Sequence, residues 1–463
     1  MQVEFLLIGF LALAIWAQVL WSASHKGLGW ASPISLLSAG LLIFYIVPPI
    51  YWQFRPWNYE IPHYFEGLYL VWSSACIVGL PFLWSTFFNS QDKSGAPVPR
   101  QRTPAQFDGK LWIFLVIILV GMAWRSYLIS LGWQGRFGRE NPALWGSEDL
   151  AYLFGNITYY YPACYFVMVA CGNERQQRFG KLCWIGDGVF QVFLLHRFAI
   201  LIYLFRSMVF AFMAGWKIKP RHLLIAATFA VFVISILGQS HVTSLEAISP
   251  DHLYLKPTEV GNILMTTSTR YLHGDFQYGH SSISNNVFLR SLDDTMFRLY
   301  DARSASAVMM NVPGIIPYYY GETFTQILYA FIPRYLWPEK PVLSSIQFVT
   351  LLVMPDDSGV NPAGSLAEFY MNYGFTGVFL GGLVSFWICR LTENMLERQK
   401  ASPAWLCMYP ILAEMFFAWN RSFTQRVCEG LRGLLVIGFI ALLLWACKKE
   451  SLESQKISEH AMR

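Results

Sequence analysis

Runs of about twenty mostly apolar residues recur along this chain and constrain its fold more than any other feature. A helix needs roughly 20 apolar residues to cross the hydrocarbon core of a bilayer. Only 14% of the 463 residues are charged and 55% are apolar, whereas soluble chains carry roughly 25% charged residues. The sequence therefore predicts an all-α, polytopic membrane protein. It excludes a disordered chain and a nucleic-acid-binding protein, and it argues against a soluble Rossmann-type enzyme.

We predict eleven transmembrane helices from these runs. Their order defines an N-terminal bundle of about eight spans (1–240), a large loop (241–373), three C-terminal spans (374–447) and a polar tail (448–463). The predicted spans are 3–22, 31–52, 64–87, 111–132, 150–171, 180–195, 198–216, 222–240, 374–392, 403–420 and 428–447.

Lys and Arg are divided unevenly between the two sides that these spans define. One alternating set of connecting segments holds 18 basic residues, and the short loops of the other set hold 6. Because short cytoplasmic loops are enriched in Lys and Arg, the N-terminus is predicted outside and the C-terminus inside. The large loop 241–373 is then outside. It holds 12 acidic and 7 basic residues, and its many aromatic residues and prolines predict ordered, re-entrant or interfacial helices.

Four groups of residues in and after this loop form a recognisable pattern. They are Gly321-Glu322-Thr323, the stretch Ile-Pro-Arg-Tyr-Leu-Trp-Pro-Glu-Lys-Pro at 332–341, Asp356-Asp357, and the stretch from Gly364 to Gly377. The pattern resembles that of the Wzy-type O-antigen or exopolysaccharide repeat-unit polymerases. The layout of eleven spans with one large external loop is also similar to that family.

The resemblance implies a glycosyltransferase in the bacterial inner membrane, acting at its outer leaflet. Family members join oligosaccharide repeats carried on undecaprenyl pyrophosphate. A hydroxyl of the incoming repeat attacks the anomeric carbon of the growing chain, and the lipid pyrophosphate leaves. The implied partners are this lipid-linked oligosaccharide, membrane lipid, a chain-length regulator and a flippase. No cofactor and no metal are expected.

Cationic residues are the candidates for binding the pyrophosphate, because the planar guanidinium of Arg binds phosphate oxygens in a bidentate manner. Arg334 lies in the motif 332–341, and we predict a catalytic role for it; the alternative is a surface Arg paired with Glu339. The further candidate substrate-binding cations are Arg197, Arg206, Arg290, Arg298 and Lys340.

Each of these further cations also has a structural interpretation. Arg197 can snorkel to the interface, and Arg290 and Arg298 can pair with the neighbouring Asp293, Asp294 and Asp301 on a solvated helix. Charges inside spans are functional hypotheses by default, but Arg125, Arg206 and Arg432 can instead pair with Asp187, Glu414 or Glu429.

A carboxylate is the candidate general base for the attacking hydroxyl. Glu322 and Glu368 rank first because both lie in the motifs that carry the resemblance. The alternative is that each stabilises a helix start, where acidic residues are favourable. Asp356 and Asp357 are a weaker choice.

Tyr320, Trp337 and Tyr370 are candidate sugar-binding residues, since aromatic faces can stack on sugar rings. Their alternative role is packing in the core or at the membrane interface. Two other functions stay open: an O-antigen ligase-like transferase, and a transporter or flippase of lipid-linked oligosaccharide. The absence of visible repeats and the single large loop argue against the transporter.

Overall fold

The computed structural model describes residues 2–25, 28–54, 65–88, 112–130, 161–193, 197–214, 287–329, 364–398 and 403–431, with short pieces and single positions elsewhere. Most of the described residues are helical, and no strand occurs among them. The helices are α1 Gln2–Ser24, α2 Pro33–Leu41, α3 Val47–Phe54, α4 Phe65–Phe88, α5 Trp112–Ser130, α6 Tyr161–Cys171, α7 Glu174–Phe193, α8 Arg197–Met213, α9 Val287–Arg298, α10 Ala302–Asn311, α11 Glu322–Tyr329, α12 Gly364–Arg398, α13 Pro403–Phe417 and α14, residues 423–431.

Four helical segments of the described chain are long and apolar enough to cross a membrane: Leu6–Ser24, Pro33–Phe54, Glu66–Thr86 and Gly364–Glu397. They coincide with the predicted spans 3–22, 31–52, 64–87 and 374–392, except that the last begins ten residues earlier than predicted. Shorter apolar helices occupy Trp112–Trp124, Tyr161–Cys171, Ile200–Met213 and Cys407–Phe417. The chain is thus an all-helical protein with several helices of membrane-spanning character. The predicted span 222–240 lies almost entirely outside the described residues.

The second span contains two consecutive prolines and stays continuous. Ser32 caps its N-terminus by accepting a hydrogen bond from the Ser35 N–H at 3.1 Å, and a π-helical turn, Leu42–Ile46, joins α2 to α3. Pro49 has no N–H to donate to the carbonyl of Tyr45 four residues before it. The indole N–H of Trp72 donates to this carbonyl at 3.0 Å instead, so a neighbouring helix satisfies the group that proline leaves free.

Contacts divide the chain into two units. The first comprises Met1–Pro99, Gly274–Arg398 and Ala413–Gly430. Within it, small residues let helices approach closely: Gly9 lies against the Trp72 ring, and Gly382 lies against the backbone of Val78. The indole N–H of Trp16 donates to the Ala75 carbonyl at 3.0 Å, which fixes α1 against α4.

Helix α12 reverses direction within its length. Tyr373 and Gly374 have non-helical backbone angles, and Gly374 has a φ of 60°. Gly377 lies against the carbonyl of Phe369, and Gly381 against its ring. Residues 369 and 381 would be about 18 Å apart on a straight helix, so the half α12a (364–372) folds back on the half α12b (375–398). The predicted span start at 374 coincides with this reversal.

The second unit comprises Arg100–His273, Gln399–Leu412 and Leu431–Arg463. Its described helices α6 and α7 pack around the buried carboxylate of Asp187, which accepts hydrogen bonds from Tyr161, from Tyr165 at 3.1 Å and from Gln191 at 2.7 Å. Arg206 on α8 is buried and, like Asp187, lies within electrostatic range of Tyr165. This arrangement favours the structural alternative for Arg206.

Candidate functional site

Asn372, at the end of α12a, joins two segments of the predicted motifs. Its Oδ1 accepts a hydrogen bond from the Gly321 N–H at 2.7 Å, and its Nδ2 donates to Thr323 Oγ1 at 2.8 Å. A third hydrogen bond links the same two segments, from the Tyr319 N–H to the Met371 carbonyl at 3.1 Å. The motif around 321–323 and the motif 364–377 therefore form one local structure, although about fifty residues separate them in the chain.

Glu368 lies beneath this junction and is fully buried. Its carboxylate accepts hydrogen bonds from Thr424 Oγ1 at 2.5 Å and from the Thr424 N–H at 3.0 Å. Thr424 is in the first turn of α14, where backbone N–H groups have no partner within the helix. Glu368 thus caps α14 from another helix, and its negative charge meets the positive end of the α14 dipole.

Glu322 is the first residue of α11, and its side chain is exposed. Asn372 binds the residues on either side of it, so its backbone is held from two directions. The nearby Tyr319 has a pKa that is raised by burial and, to a smaller extent, by the charge of Glu322. Of the two carboxylates predicted as general bases, Glu322 faces the exterior of the first unit and Glu368 is enclosed.

Three tyrosines lie in a row at the same junction, and we call Tyr318, Tyr320 and Tyr373 the tyrosine row. The ring centroids of Tyr318 and Tyr320 are 6.1 Å apart, and those of Tyr320 and Tyr373 are 6.2 Å apart. Tyr320, a predicted sugar-binding residue, is 71% exposed.

Arg421 is held between two carboxylates close to the start of α14. It pairs with Glu414 at 3.0 Å and with Glu429 at 2.6 Å. The predicted alternative partner for Glu429 was Arg432, which lies outside the described residues. Arg421 itself was not among the predicted site residues.

Arg426 on α14 is a second cation of this region and is buried. Its guanidinium lies over the Trp419 ring at 4.3 Å, and its Nη1 donates to the Met415 carbonyl at 3.1 Å. Nε and Nη2 have no hydrogen-bond partner within the described part of the chain. Arg426 and Ser385 line a cavity of about 20 Å³, which is room for a water molecule. Burial lowers the pKa of Arg426 to about 10, so it stays charged at neutral pH.

The other predicted aromatic residues flank this region. Tyr370 is buried and packs edge-on against Phe375 at 5.4 Å, so it supports the site from inside. Trp337 is partly exposed and packs against Tyr329 at 5.7 Å.

For several predicted site residues the structure describes the backbone alone, and others lie outside the described residues altogether. Arg290 and Arg298 lie on α9, Arg197 begins α8, and Arg125 lies on α5; their side chains are outside the described part. Arg334, Lys340, Asp356 and Asp357 are also outside the described residues.

Sequence reasoning missed four residues that build the junction: Asn372, Thr424, Arg421 and Arg426. Asn372 lies inside the motif 364–377, and an Asn close to a Gly is typical of a turn that its side chain stabilises. Arg421 and Arg426 lie in the short segment 421–427 between the last two predicted spans. Two Arg in seven residues of a mostly apolar region were the signal that could have indicated a site there. Nothing in the sequence around Thr424 indicates that it meets Glu368.

No protein-family model, no curated protein and no solved structure matches this chain. Within the described residues, no group of three or more His, Cys, Asp or Glu side chains could hold a metal ion. The fold and the site therefore define an all-helical protein of membrane-spanning character. At one junction it has a buried carboxylate, an exposed carboxylate and a tyrosine row whose middle ring, Tyr320, is exposed.

Proposed function

We propose that this protein is a membrane glycosyltransferase of the polysaccharide polymerase type. It would join undecaprenyl-pyrophosphate-linked oligosaccharide repeats at the outer leaflet of the bacterial inner membrane. One observation carries the proposal: the segments 321–323 and 364–377, on which the resemblance to Wzy-type polymerases rests, meet through Asn372 and present Glu322 outward. A resemblance in sequence alone does not require these segments to touch.

The reaction needs a base for the attacking hydroxyl and cations for the leaving group. Glu322 accepts the proton of an acceptor hydroxyl, whose oxygen forms a bond to the anomeric carbon of the growing chain. The bond between that carbon and the pyrophosphate oxygen breaks, and the lipid pyrophosphate leaves with its electron pair. Arg334 stabilises the departing charge. Asn372 acts as a positioning residue because it binds the residues on both sides of Glu322. Glu368 acts less directly, because it holds Thr424, whose hydroxyl lies 3.2 Å from the Thr323 carbonyl.

The membrane layout belongs to the same proposal. Eleven spans, a periplasmic loop 241–373, a periplasmic N-terminus and a cytoplasmic C-terminus follow from the apolar runs and from the distribution of Lys and Arg. The four long apolar helices among the described residues support this layout in part.

The test is polymer formation by purified protein from the lipid-linked repeat, read as a ladder on a gel. Glu322→Gln should reduce the rate by about 10² to 10⁴, which is the usual contribution of a general base. Arg334→Ala should stop the ladder while single lipid-linked repeats accumulate.

A matched control is available for Glu322→Gln. Glu174 is also the exposed first residue of a helix, so Glu174→Gln makes the same chemical change at a similar position and should leave the ladder intact. Equal loss in both variants, or a full ladder from Glu322→Gln, would remove Glu322 from the mechanism.

The products also separate the two other functions. A ligase transfers finished glycan to a second acceptor and makes no ladder from the lipid-linked repeat alone. A transporter moves the repeat across a liposome membrane without changing its length. Either result in place of the ladder would overturn the polymerase proposal.

A further inference from the structure

The tyrosine row is held in place by two interlocked turns. The Tyr373 hydroxyl lies against Gly321, where a Cβ atom would come within 2.7 Å of it, and the Tyr318 hydroxyl lies against Gly374, where a Cβ would come within 3.0 Å. Both glycines have positive φ, 91° and 60°. Each turn thus receives a tyrosine from the other turn, and the spacing of the rings is fixed by backbone as well as by side-chain packing.

Tyr320 is presented outward at a conformational cost. Its φ is 46°, a region that residues with a Cβ atom enter uncommonly. Such outliers persist only when the surrounding structure enforces them. Burial of the ring does not compensate, since most of the Tyr320 side chain is exposed. The turn therefore keeps a large aromatic face accessible beside the exposed carboxylate of Glu322.

The charge around the row selects the kind of ligand. Residues 312–329 and 364–389 contain no Lys or Arg, and Glu322 adds an exposed negative charge. Phosphate groups, acidic peptides and anionic lipid headgroups are disfavoured there, because surfaces that bind them carry basic residues. A neutral, polyhydroxylated ligand fits, since its apolar C–H face packs on an aromatic ring while its hydroxyls bond to tyrosine and carboxylate oxygens.

We propose that the tyrosine row binds a pyranose ring of the acceptor repeat, with Tyr320 stacked on the sugar and Glu322 beside its attacking hydroxyl. The assignment to the acceptor, rather than to the growing chain, rests on the proposed function, in which Glu322 takes the acceptor proton. Binding of a sugar ring to the row does not depend on that assignment. The leaving pyrophosphate would be bound by cations outside the segments 312–329 and 364–389, such as Arg334 of the proposed mechanism.

Photocrosslinking tests the proposal in cells that supply the host's own lipid-linked glycan. Tyr320 is replaced with p-benzoylphenylalanine, which keeps an aromatic ring at the position, and adducts are identified by mass spectrometry after irradiation. We expect adducts that contain hexose. Leu328 is the matched control, because it is 81% exposed and lies on the same short helix as Glu322 but on a different face; the same replacement there should give no glycan adduct.

Affinity provides a second measurement. Tyr320→Ala should weaken binding of the delipidated repeat to the purified protein between about threefold and tenfold, and Tyr320→Phe should retain most of it, since stacking needs the ring and not the hydroxyl. The exposed ring contributes little to the core, so both variants should fold.

The outcomes distinguish this proposal from the polymerase proposal. Phospholipid adducts at Tyr320 would make the row a membrane-interface anchor and overturn the sugar site, as would equal glycan adducts at Leu328. Glycan adducts at Tyr320 in a protein that forms no ladder would sustain the sugar site and overturn the polymerase. In a Glu322→Gln background, single-repeat adducts should persist after polymer formation is lost.

Discussion

Glu368 illustrates how a single residue takes its role from a distant partner. The sequence offers two interpretations, a general base or an acid that stabilises a helix start, and the second is close to the observed geometry. The helix that Glu368 caps is α14, however, and not its own, because its carboxylate accepts the Thr424 N–H and hydroxyl. The two residues are 56 positions apart, and no local pattern connects them.

Replacing Glu368 should lower the folding stability of the protein and not only its reaction rate. In Glu368→Gln one carboxylate oxygen becomes an NH₂ group and the negative charge at the start of α14 is lost, so the paired hydrogen bonds from Thr424 are weakened, at a cost of about 1–3 kcal/mol. The thermal midpoint in detergent should fall. Thr424→Val should act through the same contact, so the double variant should lose less than the sum of the two single losses.

The exposed Glu322 provides the comparison for that measurement. Glu322→Gln should leave the thermal midpoint unchanged, because no buried contact is altered. An unchanged thermal midpoint in Glu368→Gln would contradict the capping role, and Glu368 would again be a candidate general base.

At the scale of helices, the sequence predicts the long apolar elements well and the short ones poorly. The first three spans and the start of α12b lie close to the predicted limits, since twenty apolar residues carry enough signal on their own. The half-helix α12a was assigned to the loop, because residues 364–372 mix polar and apolar types. Their helical form depends on contacts with α12b and with residues 419–424, which the sequence does not specify.

The fold-back of α12 should depend on Gly381. A Cβ there would lie within 2.5 Å of three atoms of the Phe369 ring, so Gly381→Ala should cost about 1–3 kcal/mol through overpacking. The measurement is the free energy of unfolding, or the thermal midpoint, in detergent. Combining the change with Phe369→Leu should recover part of the loss, because the smaller side chain clears the space.

Gly186 on α7 is the control for this substitution. No atom lies within 4 Å of a Cβ built there, so Gly186→Ala should be neutral or should stabilise by about 0.5–1 kcal/mol through the higher helix propensity of Ala. Equal effects at the two glycines would contradict the close approach of α12a and α12b.

At the scale of the molecule, the distribution of charge is the strongest predictor of membrane sidedness that the sequence contains. The first unit groups α1–α4 with residues 274–398 and 413–430, a division by contacts, whereas the predicted segments 1–240, 241–373 and 374–447 follow membrane topology. Apolar runs and basic residues predict sidedness, but they contain no information on which distant segments pack together. For that reason the junction around Asn372 could not be predicted beyond its motifs.

Reporter fusions test the predicted sidedness. A fluorescent protein fused after Arg463 should fold and fluoresce, and alkaline phosphatase at the same point should be inactive, because both report a cytoplasmic C-terminus. Phosphatase inserted between residues 133 and 149, which are predicted outside, should be active. The reverse pattern at either position would overturn the orientation, and with it the periplasmic placement of the site.

The capping of α14 by Glu368 also has a consequence for biogenesis. The half-helix α12a has nine residues, and isolated helices shorter than about 12–15 residues are marginal in water. It cannot form a stable helix alone during synthesis. Glu368 emerges from the ribosome 56 residues before Thr424, and until that partner arrives its carboxylate has to remain hydrated. The junction is therefore completed late, after most of the chain has already been inserted, and a truncation before residue 424 should leave α12a without a stable fold.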